Sequence, residues 1–295
     1  MEIELVRPYG FCSGVRRTVG LVERFLQGPG ELYCLGELIH NPEEVARLAA
    51  LGLRTVSSLE ELPPDGAGKS FLIRAHGISP QIREEVERRG YEIVDGGCPR
   101  VLEAQRQARR LAEEGYRLVL VGHRAHPEVA GLLGAVDGAA EVVLAPEALS
   151  PRPGDRLGLL AQTTLLPEQF TAVVAAAACR AREVKAVNTL CQETLRRQEA
   201  VRAAAREVEL MLVIGGRNSS NTTRLAEIAA RYTGCYHIES PSQLERRWLI
   251  EKHRIGISGG TSTPETSLRA VQGEIERLMG GVHDGKEDGR VRHEH

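Results

Sequence analysis

The chain has 295 residues, a formal net charge of −2 at pH 7 and 42% hydrophobic residues, values typical of a globular protein of one to three domains. The near-neutral charge argues against nucleic-acid binding through a broad basic surface, and no apolar run reaches the roughly 18 residues of a membrane-spanning helix. Residues 1–5 lack a signal-peptide pattern, so we expect a cytoplasmic protein, in which six cysteines are more often metal ligands, catalytic groups or core residues than disulfides.

Three cysteines share one local pattern, in which each follows a short predicted strand and precedes a predicted helix. They are Cys12 (strand over 2–6, helix through Phe25), Cys98 (strand over 91–94, helix over 101–114) and Cys191 (strand from 184, helix through Arg206). Ligands of α/β sheets bind in loops at the carboxyl ends of strands, and a helix amino terminus favours a thiolate. Three thiols in equivalent loops therefore predict one shared site.

Each cysteine unit is followed by three further strand-and-loop units, so the chain contains three copies of about four β-α units. The later strands of the copies begin near residues 32, 56 and 71, then 118, 143 and 157, then 210, 238 and 255. Strands alternating with helices predict an α/β fold with parallel sheets that carry helices on both faces. We expect three pseudo-repeated lobes, at residues 11–97, 98–190 and 191–280, and a disordered tail over 281–295.

The six cysteines divide into two groups. We interpret the three cysteines outside the repeated pattern as small core residues; they are Cys34, Cys179 and Cys235. For the repeated three, the symmetry favours a metal site. A structural zinc site usually has close cysteine pairs and four ligands, whereas three thiolates without a fourth partner fit an iron–sulfur cluster with one iron open to a substrate oxygen.

Polar side chains gather where strands of all three copies end. They are His40, His76, His126, Ser219, Ser220, Asn221 and Ser262. Imidazoles, hydroxyls, an amide and helix amino termini together predict a pocket for a phosphate or diphosphate. Taken singly, each histidine could be a structural residue and each serine a helix cap.

One carboxylate lies inside these loops. Glu128 follows His126 by two residues, at the start of a predicted helix. It either caps that helix by its charge or handles protons, and the spacing does not decide between the two.

The motifs taken together resemble the LytB family of 4-hydroxy-3-methylbut-2-enyl diphosphate reductases. The matching stretches, in order from about residue 11 to 279, include Gly10-Phe-Cys12, Ala75-His-Gly77, Cys98-Pro99, His126-Pro-Glu-Val129, Gln162-Thr-Thr164, Asn188-Thr-Leu-Cys191 and Asn218-Ser-Ser-Asn221. Motifs in all three copies are far more specific than any single short motif.

The resemblance implies the last enzyme of the non-mevalonate isoprenoid pathway. Three lobes would surround a [4Fe-4S] cluster held by Cys12, Cys98 and Cys191, whose open iron binds the substrate hydroxyl. Two electrons from ferredoxin or flavodoxin would break the C–O bond with loss of water, giving isopentenyl and dimethylallyl diphosphate. The residues implied to bind the diphosphate or hydroxyl are His40, His76, His126, Thr163, Ser219, Ser220, Asn221 and Ser262. Glu128 and Thr163 would relay protons, and we expect a monomer.

Some positions depart from the family pattern. They are Arg16, Gly96, Gly97, Arg100 and Glu193. Glycines and arginines near a cluster can change its reduction potential or the shape of the pocket. A paralogue that reduces another substrate therefore remains an alternative. A redox sensor without turnover is a second alternative, although a sensor needs neither a proton relay nor a diphosphate pocket.

Overall fold

This computed structural model describes residues 1–280. Its twelve strands form three parallel sheets of four strands each. The first sheet consists of β2 (Glu31–Leu35), β3 (Leu53–Val56), β4 (Lys69–Ile73) and β5 (Glu92–Asp95). The second consists of β6 (Arg117–Val121), β7 (Ala140–Val143), β8 (Arg156–Ala161) and β9 (Glu183–Val187). The third consists of β1 (Glu2–Leu5), β10 (Leu210–Ile214), β11 (Gly234–Ile238) and β12 (Arg254–Gly259). The predicted α/β class with three lobes of parallel sheet is confirmed, while the expected disordered tail lies outside the described residues.

Nine α-helices lie within residues 1–280, eight of them between strands and the last after β12. They are α1 (Ser13–Phe25), α2 (Pro42–Ala50), α3 (Pro80–Arg88), α4 (Pro99–Glu113), α5 (Pro127–Gly134), α6 (Pro167–Ala178), α7 (Gln192–Ala204), α8 (Ser220–Ala229) and α9 (Glu265–Gly280). None of these helices is long and apolar enough to cross a membrane.

The second sheet illustrates how each lobe buries both faces of its sheet. On one face Val119 and Leu159 pack with Phe170 of α6, and on the other Leu118 and Leu160 pack with residues of α4. Neighbouring strand residues point to opposite faces, so a strand with a core on each side is apolar along its whole length. This explains the continuous hydrophobic runs of β6, β8 and β10.

The three sheets have equivalent strand orders, β3-β2-β4-β5, β7-β6-β8-β9 and β11-β10-β12-β1. The edge strands β5, β9 and β1 each lead to one of the repeated cysteines, while the helix after that cysteine packs in the next lobe. Thus β5 pairs with β4, but α4 contacts β6 and β8. Strand β1 completes the third sheet, with Ile3 beside Ile255, although its helix α1 packs on β2 and β4. Each cysteine therefore lies at a crossing between lobes; the division of the chain at residues 97 and 190 stays a prediction.

Two helix boundaries differ from the sequence predictions. Helix α4 begins at Pro99 rather than at 101, because proline is favoured in the first turn. Helix α7 ends at Ala204 rather than at Arg206.

The three cysteines expected in the core have different environments. Cys34 is buried in β2 and Cys235 is half-buried in β11, but Cys179 is exposed, so the prediction for Cys179 is wrong. Helix α6 ends one residue before Cys179, and its buried positions Val173 and Ala177 do not place residue 179 on the same face. An alanine-rich sequence alone did not reveal where the helix stops.

Candidate active site

The three repeated cysteines occupy the same structural position in their lobes. Cys12, Cys98 and Cys191 are the N-cap residues of α1, α4 and α7, each with an extended backbone. All three line one cavity of about 90 Å³ at the junction of the lobes. The predicted shared site is thus a geometric feature of the fold, since the crossings between lobes bring three helix amino termini together.

Two thiols of this cavity, those of Cys12 and Cys98, have a raised pKa, although a helix amino terminus alone would lower it. Burial raises the pKa of Cys12 to about 11, and repulsion by Glu193, Cys98 and Cys191 adds to the rise. Burial also raises the pKa of Cys98, against hydrogen bonds from the backbone of Arg100 and Val101 that lower it. Desolvation therefore outweighs the helix amino terminus, so a metal that binds here must displace thiol protons.

The donor set and the space around it fit an iron–sulfur cluster. An added Cβ on Gly14 would lie 2.8 Å from Cys98 Sγ, so only glycine leaves that sulfur free at this position. Within the described residues no fourth cysteine lines the cavity, which disfavours a structural Cys₄ zinc site. Three soft thiolates around one cavity suit a cluster that lacks one protein ligand.

Three histidines that line the same cavity form a second cluster of side chains. Their ring centroids are 4.8 Å apart for His40 and His76, 5.7 Å for His40 and His126, and 5.6 Å for His76 and His126. Among residues 1–280, no hydrogen-bond partner contacts the buried Nδ1 and Nε2 of His40 or the buried Nδ1 of His76. Buried polar atoms are rarely left unpaired, so these nitrogens indicate a ligand site.

The histidine triad is better suited to an anion than to a metal. Three imidazoles can bind zinc, and the candidate ligand atoms lie within 4.8 Å of one another. However, His126 Nδ1 accepts a hydrogen bond from the Glu128 N–H at 3.2 Å, which leaves Nε2 to carry the proton of the neutral ring. Burial, followed by repulsion from His40, His123 and Arg74, lowers the pKa of His126 to about 3, so the ring is neutral. His126 therefore presents an Nε2–H donor to the cavity. This group can hydrogen-bond a phosphate oxygen but cannot coordinate a metal ion.

The third lobe supplies hydroxyls and an amide from the amino end of α8. Ser219 is the N-cap, and its Oγ accepts hydrogen bonds from Thr222 N at 3.3 Å and Thr222 Oγ1 at 2.9 Å, so its own proton remains available. Both amide atoms of Asn221 are buried, and within the described part of the chain neither has a partner. Ser220 and Ser262 line the same cavity. The helix-cap interpretation is correct for Ser219 without excluding a second contact with a ligand.

Glu128 and Thr163 form a buried pair between the two ends of the cavity. Glu128 is 2% exposed, and its two carboxyl oxygens contact Thr163 N at 2.6 Å and Thr163 Oγ1 at 2.7 Å. Burial raises the pKa of Glu128 to about 7, although both hydrogen bonds from Thr163 lower it. The carboxyl oxygens bind a neighbouring loop and not the amino end of α5, which His126 caps instead. This geometry favours proton handling over helix capping.

The comparison with known families matches this arrangement. The family model described as LytB protein matches residues 3–276. The chain belongs to the LytB family. Two relatives named 4-hydroxy-3-methylbut-2-enyl diphosphate reductase, from Aquifex aeolicus and an Anaeromyxobacter species, are 40% and 39% identical. The matches cover 95% and 94% of this chain and 98% of each relative.

Two solved structures share the fold. One, of (E)-4-hydroxy-3-methyl-but-2-enyl diphosphate reductase, the terminal enzyme of the non-mevalonate pathway, has 39% identity and a TM-score of 0.68, and the match covers 94% of this chain and 100% of that one. The other, E-1-hydroxy-2-methyl-but-2-enyl-4-diphosphate reductase from Plasmodium falciparum, has 25% identity and a TM-score of 0.87, with 93% and 88% covered.

All five departures from the LytB pattern have contacts or neighbours in the structure; Arg16 donates from its Nη2 to the Phe11 carbonyl oxygen at 3.1 Å. An added Cβ on Gly96 would lie 2.6 Å from the carbonyl oxygen of Ile73, so β4 approaches too closely for a side chain. A Cβ on Gly97 would lie 3.0 Å from Asp95 Oδ1. Glu193 accepts hydrogen bonds from the backbone N–H and hydroxyl of Ser13, tying the amino ends of α7 and α1 together. Arg100 lines the cavity beside Cys98.

Sequence reasoning missed two arginines near the site, the buried Arg197 and the half-buried Arg74. Arg197 of α7 donates to the carbonyl oxygens of Gly10 at 2.5 Å and Gly259 at 3.1 Å, beside the cysteines. Arg74 follows β4 directly and precedes His76 by two residues. A charged residue at the end of a buried strand, on the same side as a candidate ligand residue, was the signal that could have identified Arg74.

Proposed function

We propose that the protein reduces (E)-4-hydroxy-3-methylbut-2-enyl diphosphate to isopentenyl diphosphate and dimethylallyl diphosphate. The substrate takes up two electrons and two protons, its C–O bond breaks, one C–H bond forms, and water leaves. The observation that carries this proposal is a single cavity with three N-cap cysteines at one end and unpartnered buried histidine and asparagine atoms at the other. The relatives are named as reductases of a diphosphate. That reaction needs a source of electrons, for which the cysteines are suited, and a diphosphate pocket, for which the polar groups are suited.

Cys12, Cys98 and Cys191 would hold a [4Fe-4S] cluster. Bound there, the cluster would supply low-potential electrons and a Lewis-acidic iron. The chain's own contribution at this end is positional: helix amino termini direct backbone N–H groups toward the sulfurs, and Gly14 keeps a side chain away from the sulfur of Cys98.

The polar end would bind the diphosphate. His40, His76 and His126 would donate N–H groups, Ser219, Ser220 and Ser262 hydroxyls, and Asn221 its amide. These groups come from three lobes, so a diphosphate that contacts all of them fixes the lobes around the substrate. The unpaired nitrogens of His40 and Asn221 gain partners in the complex, which removes the cost of burying them unpaired.

Glu128 and Thr163 would deliver the proton that leaves with water. A pKa of about 7 keeps a large share of Glu128 protonated near neutral pH, and Thr163 Oγ1 at 2.7 Å can pass a proton on. A carboxyl group with a pKa near the working pH is suited to general acid catalysis. The dry surroundings of the pair prevent bulk water from taking the same protons.

We further propose that the electrons come from ferredoxin or flavodoxin and that the enzyme works as a cytoplasmic monomer. Cys12 and Cys98 are half-buried, and the exposed Arg16, Arg17 and Arg100 lie on the helices that follow them. Basic groups around a partly exposed cofactor suit an acidic one-electron carrier.

The deciding experiment is anaerobic turnover. Protein reconstituted with iron and sulfide is mixed with the hydroxylated diphosphate and a low-potential reductant, and both products are quantified. We expect the two isomeric diphosphates in one reaction. An intact cluster with no consumption of this substrate would instead favour a paralogue with another substrate or a redox sensor.

A further inference from the structure

The polar end of the cavity poses a charge problem. A diphosphate brings at least two negative charges, yet the groups proposed to contact it are hydroxyls, an amide and three imidazoles that burial keeps neutral. A buried anion without a positive partner is strongly unfavourable. A permanent cation must therefore lie close by.

Arg74 is placed to be that cation. It leaves the carboxyl end of β4 two residues before His76, and its Nη1 donates to the Glu37 carbonyl oxygen at 3.1 Å, in the loop that leads to His40. Its buried Nε has no acceptor among residues 1–280, and no carboxylate there lies within 4.0 Å of the guanidinium. The Glu37 carboxylate, whose charge acts on Arg74, hydrogen-bonds Asn218 at 3.0 Å and lies 3.9 Å from His40 Nδ1. About half of the other arginines of the described chain pair with glutamate or aspartate.

The loop beneath His40 has a space shaped for this guanidinium. Gly36 has a φ of 70°, and a Cβ at that position would lie 2.5 Å from Arg74 Nη1. A glycine is therefore needed both for the backbone conformation and for the close approach. The charge of Arg74 contributes to the lowered pKa of His40, His76 and His126, so its field extends to all three rings.

We infer that Arg74 is the positive charge that balances the diphosphate, acting from behind His40 and His76 as a positioning residue. The inference rests on the proposed function only in that the ligand is a diphosphate. Two other arginines near the cavity do not fill this role: Arg197 binds two carbonyl groups beside the cysteines, and Arg100 follows Cys98 at the opposite end. With a guanidinium behind them, neutral imidazoles can donate N–H groups to the anion without each carrying a charge.

Calorimetric binding of inorganic diphosphate to the cluster-loaded full chain tests the inference. Arg74→Gln is expected to weaken binding about 10- to 100-fold, the usual range for a lost charged hydrogen-bonding partner. Arg74→Lys keeps the charge and should recover most of the affinity. The dependence of affinity on salt should be weaker in Arg74→Gln, because one attractive charge is gone. Arg83→Gln, an exposed change on α3 of the same lobe, is the matched control and should bind as the wild type does.

A structural role for Arg74 gives different results. If the side chain only ties the Glu37 loop to β4, the Gln and Lys variants lose melting temperature and affinity together, and the salt dependence is unchanged. That outcome, or wild-type affinity in Arg74→Gln, would overturn the inference. Because the measurement uses inorganic diphosphate and no reductant, its result is independent of whether the protein reduces the proposed substrate.

Discussion

The two ends of the cavity are built on different plans. The cysteine end repeats one element three times, an N-cap thiol after an edge strand, and each lobe contributes equally. At the polar end the equivalent strand ends carry unlike groups: histidines in the first two lobes, and serines with an asparagine in the third. A cofactor of nearly equivalent metal atoms suits repeated ligands, whereas a substrate with a hydroxyl at one end and a diphosphate at the other needs different ones. The repeat thus accounts for the proposed cluster ligands, and divergence between its copies accounts for the proposed substrate contacts.

The two ends also share a property. Burial raises the pKa of Cys12 and Cys98 at one end and lowers the pKa of His40, His76 and His126 at the other. Both shifts favour the neutral form, because a low-dielectric cavity penalises either sign of charge. Glu128, between the two ends, follows the same rule. In the free protein these thiols and imidazoles therefore favour their neutral forms, and the positive charge near the polar end is that of Arg74.

The largest expected effect is at the cysteine end. Replacing Cys12, Cys98 or Cys191 with serine should remove most of the bound iron and its visible absorbance, since hard hydroxyls are poor cluster ligands. Activity should be lost with the iron. Iron content and the absorption spectrum of the anaerobically reconstituted protein measure the effect.

Cysteines outside the cavity provide the controls. Serine at Cys34, Cys179 or Cys235 should leave iron content unchanged, with some loss of stability only at the buried Cys34. A Cys98→Ser protein that kept a full cluster, or a Cys34→Ser protein that lost it, would contradict the ligand assignment.

The second effect concerns the residue between the two ends. Glu128→Gln keeps shape and hydrogen bonding but removes the transferable proton, so turnover should fall about 100- to 10,000-fold. Iron content and diphosphate affinity should barely change. In the wild type, the protonated fraction of Glu128 decreases as the pH rises through about 7, so turnover should decline above that pH. The residual activity of the glutamine variant should lack this decline.

Initial rates over pH, with substrate saturating, check both points. A helix-capping role would give near-normal turnover in Glu128→Gln together with a lower melting temperature, and the proton-donor assignment would then be wrong.

The sequence predicted the cysteine end of the cavity better than the polar end. The repeated cysteines and the alternation of strands and helices are local patterns, so they predicted the lobes and the shared thiol site. That β1 completes the third sheet depends on pairing between Ile3 and Ile255, which no local pattern records. The roles of Gly96 and Arg74 depend on close approach to Ile73 and the Glu37 loop, and those contacts exist only in the folded chain.

The smallest expected effect is a change in the arrangement of the lobes. The cavity volume of about 90 Å³ is smaller than the roughly 300–1,000 Å³ of most ligand sites. Contacts between lobes surround it, among them Ser262 Oγ with the His40 carbonyl oxygen at 3.2 Å and Asn218 Nδ2 with Glu37 Oε2 at 3.0 Å.

These contacts must open for a diphosphate to enter, so we expect the free protein to be more open on average and to close around its ligand. Small-angle scattering of the cluster-loaded protein should show a smaller radius of gyration at saturating substrate, and limited proteolysis should slow. Asn218→Ala removes one contact between lobes without touching the proposed ligand groups, so it should enlarge the free form more than the bound form. If scattering profiles with and without ligand coincide for both proteins, the polar end is as rigid as the cysteine end, and substrate must enter through side-chain movement alone.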